Sequence, residues 1–312
     1  MLFEKIRKTR QIEQEQFDAI IREAKESEAA VIAFEKSSWG CDLSIPSLLA
    51  SRSFSQAEQQ LMAPLFERAL CTNAYKDVFE DRAAVQVFDA CAVKKQKERA
   101  DARSFLVAYE QSHFIAVSKN FIKRNTDVTI VEVGCGLSTL MFQLDNGIIH
   151  WMEVDTKEVL QLRADLGFDR KSRVKQISCD SQNLSWVNQV KKETSENVVF
   201  IVHSQHWVWP AKSIKKLAHI INSQFSNALL LLSCVGGRAG KGKVGFHLFD
   251  LNAKSVFHSW MDGNPLVQVF ETTYPPKEIL ETLKREERRR ITRLYKDGNQ
   301  ILVDLKYTKR EH

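Results

Sequence analysis

Residues Thr129–Leu144 read TIVEVGCGLSTLMFQL. Ile130, Val131 and Val133 give the opening the branched, apolar character of a strand covered on both faces. Gly134-Cys135-Gly136 follows as a turn, Ser138 is placed to cap a helix, and Thr139 through Leu144 begin that helix. Glycines at such a turn let backbone N–H groups approach a ligand with no β-carbon between. Ligands of open α/β sheets settle at the carboxyl ends of these strands.

The following segment, Ile148–Val154, reads IIHWMEV, a second buried strand, and it runs directly into Asp155. Asp155 stands 19 positions after Gly136. A carboxylate there can accept hydrogen bonds from both hydroxyls of an adenosine ribose. Dinucleotide folds use G-x-G-x-x-G, and Thr139 occupies the third glycine position. That departure argues against NAD, whose pyrophosphate needs close backbone approach. S-adenosylmethionine has no phosphate, so the pattern Glu132-x-Gly134-x-Gly136 with a distant acid fits it as cofactor. The alternative is an α/β domain with a tight turn and no ligand.

VEVGCGLSTLMFQL followed by HWMEVDTKEVLQLRADL resembles the leucine carboxyl methyltransferase family, which includes the tetracenomycin-type polyketide O-methyltransferases. The family pattern V-E-L-G-C-G-L-x-T-R is matched at Gly134, Cys135, Gly136, Leu137 and Thr139. Its second pattern, W-x-E-V-D-x-P-x-V-x-x-x-R, is matched at Trp151, Glu153, Asp155, Val159 and Arg163. Leu140 replaces a frequent arginine and Lys157 a frequent proline. The similarity runs from about Ala69 to Gly237. It implies a Rossmann-like class I methyltransferase sheet of seven strands, the last antiparallel. An N-terminal helical region over 1–100 would cap a cofactor-binding domain over 101–312.

The resemblance also implies site residues. Asp81 and Ala84 suit the family's Asp-x-x-Ala. Arg103, with Arg99 as the alternative, would grip the methionine carboxylate of the cofactor through a planar fork; either is equally a surface arginine on a charged helix. Glu132, Gly134, Gly136, Glu153 and Asp155 complete the cradle around the adenosyl group. Asp180 and Ser181 end the third strand, Arg173–Cys179, where members recognise adenine, with Asn183 beside them. Asp180 could equally cap a helix. Trp186 reads as core.

The fourth strand, Val198–Val202, ends at His203, where related enzymes carry a glutamate facing the cofactor. A neutral imidazole, with a pKa near ~6.5, can take a proton from a hydroxyl substrate, so His203 is both a cofactor-site residue and a candidate base; a hydrogen bond within the pocket is the plainer role. His206, Trp207 and Trp209 follow as candidate walls of an acceptor cavity.

Composition sets the setting. The chain has 312 residues, a net charge of +6 and an ordinary apolar content, which does not call for nucleic acid. The six cysteines, Cys41, Cys71, Cys91, Cys135, Cys179 and Cys234, show no C-x-x-C spacing, against a disulfide framework or a zinc site. No apolar run approaches the ~20 residues of a membrane span. The expectation is a cytoplasmic enzyme binding neither membrane nor metal, with a packing or dimerisation helix over residues 1–35.

Of the remaining chain, Ser37–Ser53 reads as a connector carrying Trp39, and Ser55–Leu70 as a helix. Arg99–Arg124 reads as a long helix feeding the first strand, and Lys157–Leu166 and Ala211–Ser223 as sheet-covering helices. Asn227–Cys234 is a fifth strand, and Gly236–Gly245, GGRAGKGKVG, is a loop without phosphate-loop spacing. Leu251–Met261 reads as a helix, Leu266–Phe270 as a strand and Pro276–Arg290 as a charged helix. Asp297-Gly298 suggests a β-hairpin over ITRLYKDGNQILVDLKY.

The activity expected is O-methylation of a carboxylate or hydroxyl of a small molecule. The alternatives are methylation of a protein C-terminal carboxyl group, a degenerate methyltransferase fold serving as a scaffold, and an NAD-dependent enzyme. A carboxylate acceptor is already ionised and needs no base, whereas a hydroxyl benefits from one.

Overall fold

A computed structural model describes residues 52–75, 78–91, 99–168, 174–179, 184–203, 210–236, 247–248, 253–262, 264, 266–272, 275–297 and 300–308. Every element named below belongs to one compact unit, Leu43–Leu144 with Ile148–His312.

Helices α1 (Gln56–Ala74), α2 (Arg82–Ala90) and α3 (Ala102–Ile122) precede the sheet. Ser55 starts α1 with a capping box: its Oγ accepts from Glu58 N–H, and Glu58 accepts from Ser55 N–H. Strand β1 (Val128–Val133) then leads through the glycine turn to the single-turn α4 (Met141–Leu144). That helix begins two residues later than the sequence suggests, because Ser138 Oγ accepts from Leu140 N–H and holds the chain in a further turn. Next come β2 (His150–Asp155), α5 (Lys157–Asp165), β3 (Val174–Ser178), α6 (Trp186–Glu193), β4 (Asn197–Val202), α7 (Ala211–Gln224) and β5 (Asn227–Gly236). The chain finishes with β6 (His247–Leu248), α8 (Ala253–Trp260), β7 (Val267–Thr272), α9 (Lys277–Glu281), α10 (Arg285–Lys296) and β8 (Ile301–Tyr307).

The sheet runs β3-β2-β1-β4-β5-β8-β7, with the two-residue β6 attached beside β5. The first five strands are parallel, and β8 is antiparallel to both β5 and β7. This is the expected Rossmann-like class I methyltransferase sheet. The chain order reverses between β1 and β4, the place where open α/β sheets open a ligand crevice.

Alternation along the strands sends side chains to two cores. Val131, Val133, Val154, Phe200, Val202 and Leu230 face α6, α7 and α8. Ile130, Trp151, Val199, Ile201 and Leu231 face α3 and α4. A third cluster joins Met62, Leu65 and Ala69 of α1 to Val87 of α2, Leu162 of α5 and Leu137 of the turn, so α1 and α2 lie directly over the glycine turn.

The chain end corrects the hairpin expected over residues 291–307. Residues 285–296 are one helix, and its buried positions, Ile291 and Tyr295, stand four apart on one face against Phe105, Leu106 and Tyr109 of α3. Tyr295 donates to Gln300 Oε1 at 2.7 Å, and Gln300 Nε2 donates to Leu106 O at 2.9 Å. The expected single charged helix over 276–290 is likewise divided, into α9 and the start of α10. Among the described residues no helix is long and apolar enough to cross a membrane.

Candidate functional site

Strand register decides which side chains meet at the carboxyl end of the sheet. Glu132 pairs with Glu153, and Glu153 with Gln176, so all three point to the same face, the one under α3 and α5. Asp155 lies two residues beyond Glu153 and shares that face. Three carboxyl groups, all wholly buried, thus line one end of the sheet. Charge at that density survives burial only when paired and hydrogen-bonded.

Arg163 of α5 supplies the main counter-charge and is itself wholly buried. Its Nε donates to Glu153 Oε2 at 3.0 Å, and its Nη2 donates to Glu153 Oε1. Its Nη1 donates to the carbonyls of Gly136, at 2.9 Å, and Ser138, at 3.0 Å. Burial works against this charge, but Glu153 outweighs it and holds the guanidinium above its ordinary pKa. Arg68 of α1 takes the carbonyl between those two, donating from Nη2 to Leu137 O at 2.8 Å. Two buried arginines therefore hold three successive carbonyls of the turn.

Arg68 Nε also donates to Asp81 Oδ2 at 3.0 Å. Asp81 is the N-cap of α2, accepting from Ala84 N–H at 2.9 Å, which gives the Asp-x-x-Ala spacing its physical meaning. The same carboxylate accepts from Thr139 Oγ1 at 2.5 Å and from Gln111 Nε2 at 3.0 Å. Thr139, which departs from the dinucleotide pattern, thereby ties the turn to α2 and α3.

Gly134 and Gly136 have φ of 65° and 46°, in the left-handed region that a β-carbon disfavours. Gly134 N–H donates to Val154 O at 2.8 Å, continuing the sheet ladder. Gly136 N–H donates to Asp155 Oδ2 at 2.8 Å, and Thr156 N–H to Oδ1 at 2.7 Å. Desolvation nevertheless pushes the Asp155 pKa above its ordinary value, against the pull of those two N–H groups and of Arg163. Desolvation also raises the Cys135 thiol well above its usual range.

His203 continues β4 by donating its N–H to Val133 O at 2.9 Å, which sets it at the β1–β4 reversal. Its Nε2 lies 2.7 Å from Glu132 Oε1, and its ring meets Phe114 edge-on at 6.1 Å. For Glu132, desolvation raises the pKa, but the His203 hydrogen bond, with the His203 and Arg163 charges, wins and holds the carboxyl below its ordinary range. His203, Ser138, Cys135 and Arg68 border a cavity of about 10 Å³ covered by Leu61 and Leu65 of α1. That is room for one water.

Of the residues marked by sequence, the structure brings together Glu132, Gly134, Gly136, Glu153, Asp155 and His203. Glu153 has both oxygens on Arg163, and Gln176 Nε2 also donates to it at 3.1 Å, so it braces the turn and does not line the cavity. Arg103 is exposed at the start of α3, where its N–H donates to Asp101. Arg68, which carries no mark in the sequence, is a second buried arginine beside the turn. Asp180, Ser181, Asn183, His206, Trp207, Trp209, Trp39, the N-terminal helix and the 237–245 loop lie outside the described residues.

No family model matches the chain. No curated protein matches it either. Solved structures do. A geranyl diphosphate C-methyltransferase from Streptomyces coelicolor A3(2), in complex with Mg2+, geranyl-S-thiolodiphosphate and S-adenosyl-L-homocysteine, matches over 82% of this chain and 100% of that one, with 12% identity and a TM-score of 0.42. Precorrin-6y C5,15-methyltransferase from Geobacter metallireducens GS-15 matches over 63% and 88%, with 8% identity and a TM-score of 0.38. A cyclopropane-fatty-acyl-phospholipid synthase-like protein from Lactobacillus casei ATCC 334 matches over 64% and 90%, with 13% identity and a TM-score of 0.38. At these values the likeness adds nothing to what the strand order already shows.

Proposed function

We propose that this protein is an S-adenosylmethionine-dependent O-methyltransferase acting on a carboxylate or hydroxyl of a small molecule, akin to the leucine carboxyl methyltransferase family. The observation that supports this reading is a buried acid, Asp155, ending β2 and facing a left-handed glycine turn that ends β1, beside the β1–β4 reversal. The residues fit the cofactor. Each Asp155 oxygen accepts one backbone N–H and retains acceptor capacity for a ribose hydroxyl.

When bound, S-adenosylmethionine supplies an electrophilic methyl group on sulfur, so the protein's task is alignment. Arg68 and Arg163 fix the turn, Asp155 orients the ribose, and Glu132 offers negative charge near the sulfonium. Glu132 also accepts from His203 Nε2 and orients its ring. For a hydroxyl acceptor, His203 takes the proton as the oxygen attacks. For a carboxylate acceptor it only hydrogen-bonds. Methylation of a protein C-terminal carboxyl is the second reading, from the same family likeness.

Calorimetry with S-adenosylhomocysteine tests the proposal. Wild type binds, and Asp155→Ala abolishes binding while keeping its circular-dichroism spectrum. Unchanged affinity in the variant refutes the ribose assignment, and no binding by wild type favours a scaffold.

A further inference from the structure

A second cavity, of about 550 Å³, opens where the end of α1, the start of α3 and the α9–α10 junction converge. It shares no lining residue with the cavity at the glycine turn. Its volume falls within the ~300–1,000 Å³ range of small-molecule sites. Its walls have two characters. Leu70, Phe88 and Leu283 are buried side chains that present an apolar floor. Arg99 and Lys284 stand at the rim, both exposed, and neither has an ion-pair partner among the described residues. The single acid in the wall, Glu287, is committed elsewhere: its Oε2 accepts from Lys284 N–H at 3.3 Å at the start of α10, where the helix dipole favours it. The wall therefore joins an apolar patch to the polar side chains of Asn73, Tyr75 and Thr282 and to two cations.

We propose that this cavity binds a small amphipathic carboxylic acid, with its apolar body against Leu70, Phe88 and Leu283 and its carboxylate between Arg99 and Lys284. Tyr75 lies between floor and rim, its hydroxyl 3.5 Å from Glu287 Oε1, a long contact that a ligand carboxylate displaces. Burial and the Glu287 charge push the Tyr75 pKa up to about 12, so it remains a donor at neutral pH. The proposal does not depend on the methyltransferase reading.

Sodium decanoate is the probe, with decanol as its uncharged counterpart, titrated calorimetrically into the full chain. We expect saturable one-to-one binding of decanoate, weaker binding of decanol, and a loss of at least about tenfold in decanoate affinity in Arg99→Ala/Lys284→Ala. Leu70→Trp should fill the cavity and abolish binding. If that variant misfolds by circular dichroism, Ala74→Phe makes the same test from an exposed position. S-adenosylhomocysteine should neither compete with decanoate nor lose affinity in Lys284→Ala alone. Absence of saturable decanoate binding, equal binding in the double variant, or competition by S-adenosylhomocysteine overturns the proposal.

Discussion

Arg163→Met removes the residue on which the buried acids and the turn both rely. The side chain is wholly buried and donates to Glu153 and to the carbonyls of Gly136 and Ser138. Its loss leaves Glu153 as a buried charge with only Gln176 as a donor, at a cost of about 3–5 kcal/mol. Each stranded carbonyl adds about 1–3 kcal/mol, less where the turn relaxes or admits water. A total of about 5 kcal/mol or more is a large share of the ~5–15 kcal/mol that domains typically possess. Urea denaturation should show that loss, and thermal unfolding a fall of roughly 10–20 °C. The double variant Glu153→Leu/Arg163→Met separates charge from shape. Because it abolishes the unpaired charge, it should regain about 3 kcal/mol of the single variant's loss. A single variant that loses under ~1 kcal/mol, or a double variant no more stable than the single, refutes the account of Arg163 as the brace of the turn.

Gly136→Val should weaken S-adenosylhomocysteine binding and destabilise the fold by about 1–2 kcal/mol, because φ of 46° forces the new side chain into the left-handed region; calorimetry and urea midpoints measure both effects. For Glu132, the folded pKa lies below the unfolded one, so its stabilisation is complete above the ordinary carboxylate value of 4.5 and fades as pH falls through the folded value. Urea midpoints of wild type and Glu132→Gln should accordingly converge on acidification; a gap independent of pH would remove the charge from the explanation. Asp155 acts with the opposite sign: its raised pKa makes ionisation costly as pH climbs from acid, so Asp155→Ala should offset its lost hydrogen bonds most at neutral pH and least in acid, read from the same midpoints. In a labelled-methyl assay, His203→Ala should slow transfer to hydroxyl acceptors and leave carboxylate acceptors near wild type, while turnover restored by His203→Glu excludes the imidazole as a base.

Local pattern made much of the molecule legible. The apolar runs 130–133 and 149–154, the glycines between them and the acid at 155 announce a parallel β-turn-α-β unit, because burial on both faces and left-handed backbone leave marks within a few residues. Those short-range signals also misled at the chain end, where Asp297-Gly298 looks like a hairpin turn. Ile291 and Tyr295 pack instead as one helical face on α3, an outcome that depends on a partner about 190 residues earlier in the chain. The site was hidden in the same way. Arg68 reaches Leu137 across 69 positions, Thr139 reaches Asp81 across 58, and His203 reaches Glu132 across 71. Asp81, Glu132, Thr139 and His203 stand out in the sequence, but which partner each one meets does not, and Arg68 carries no local mark. Only the fold, by withdrawing them together from water, obliges every charge to find its counterpart, and so determines which arginine holds the turn and which acid steers the histidine.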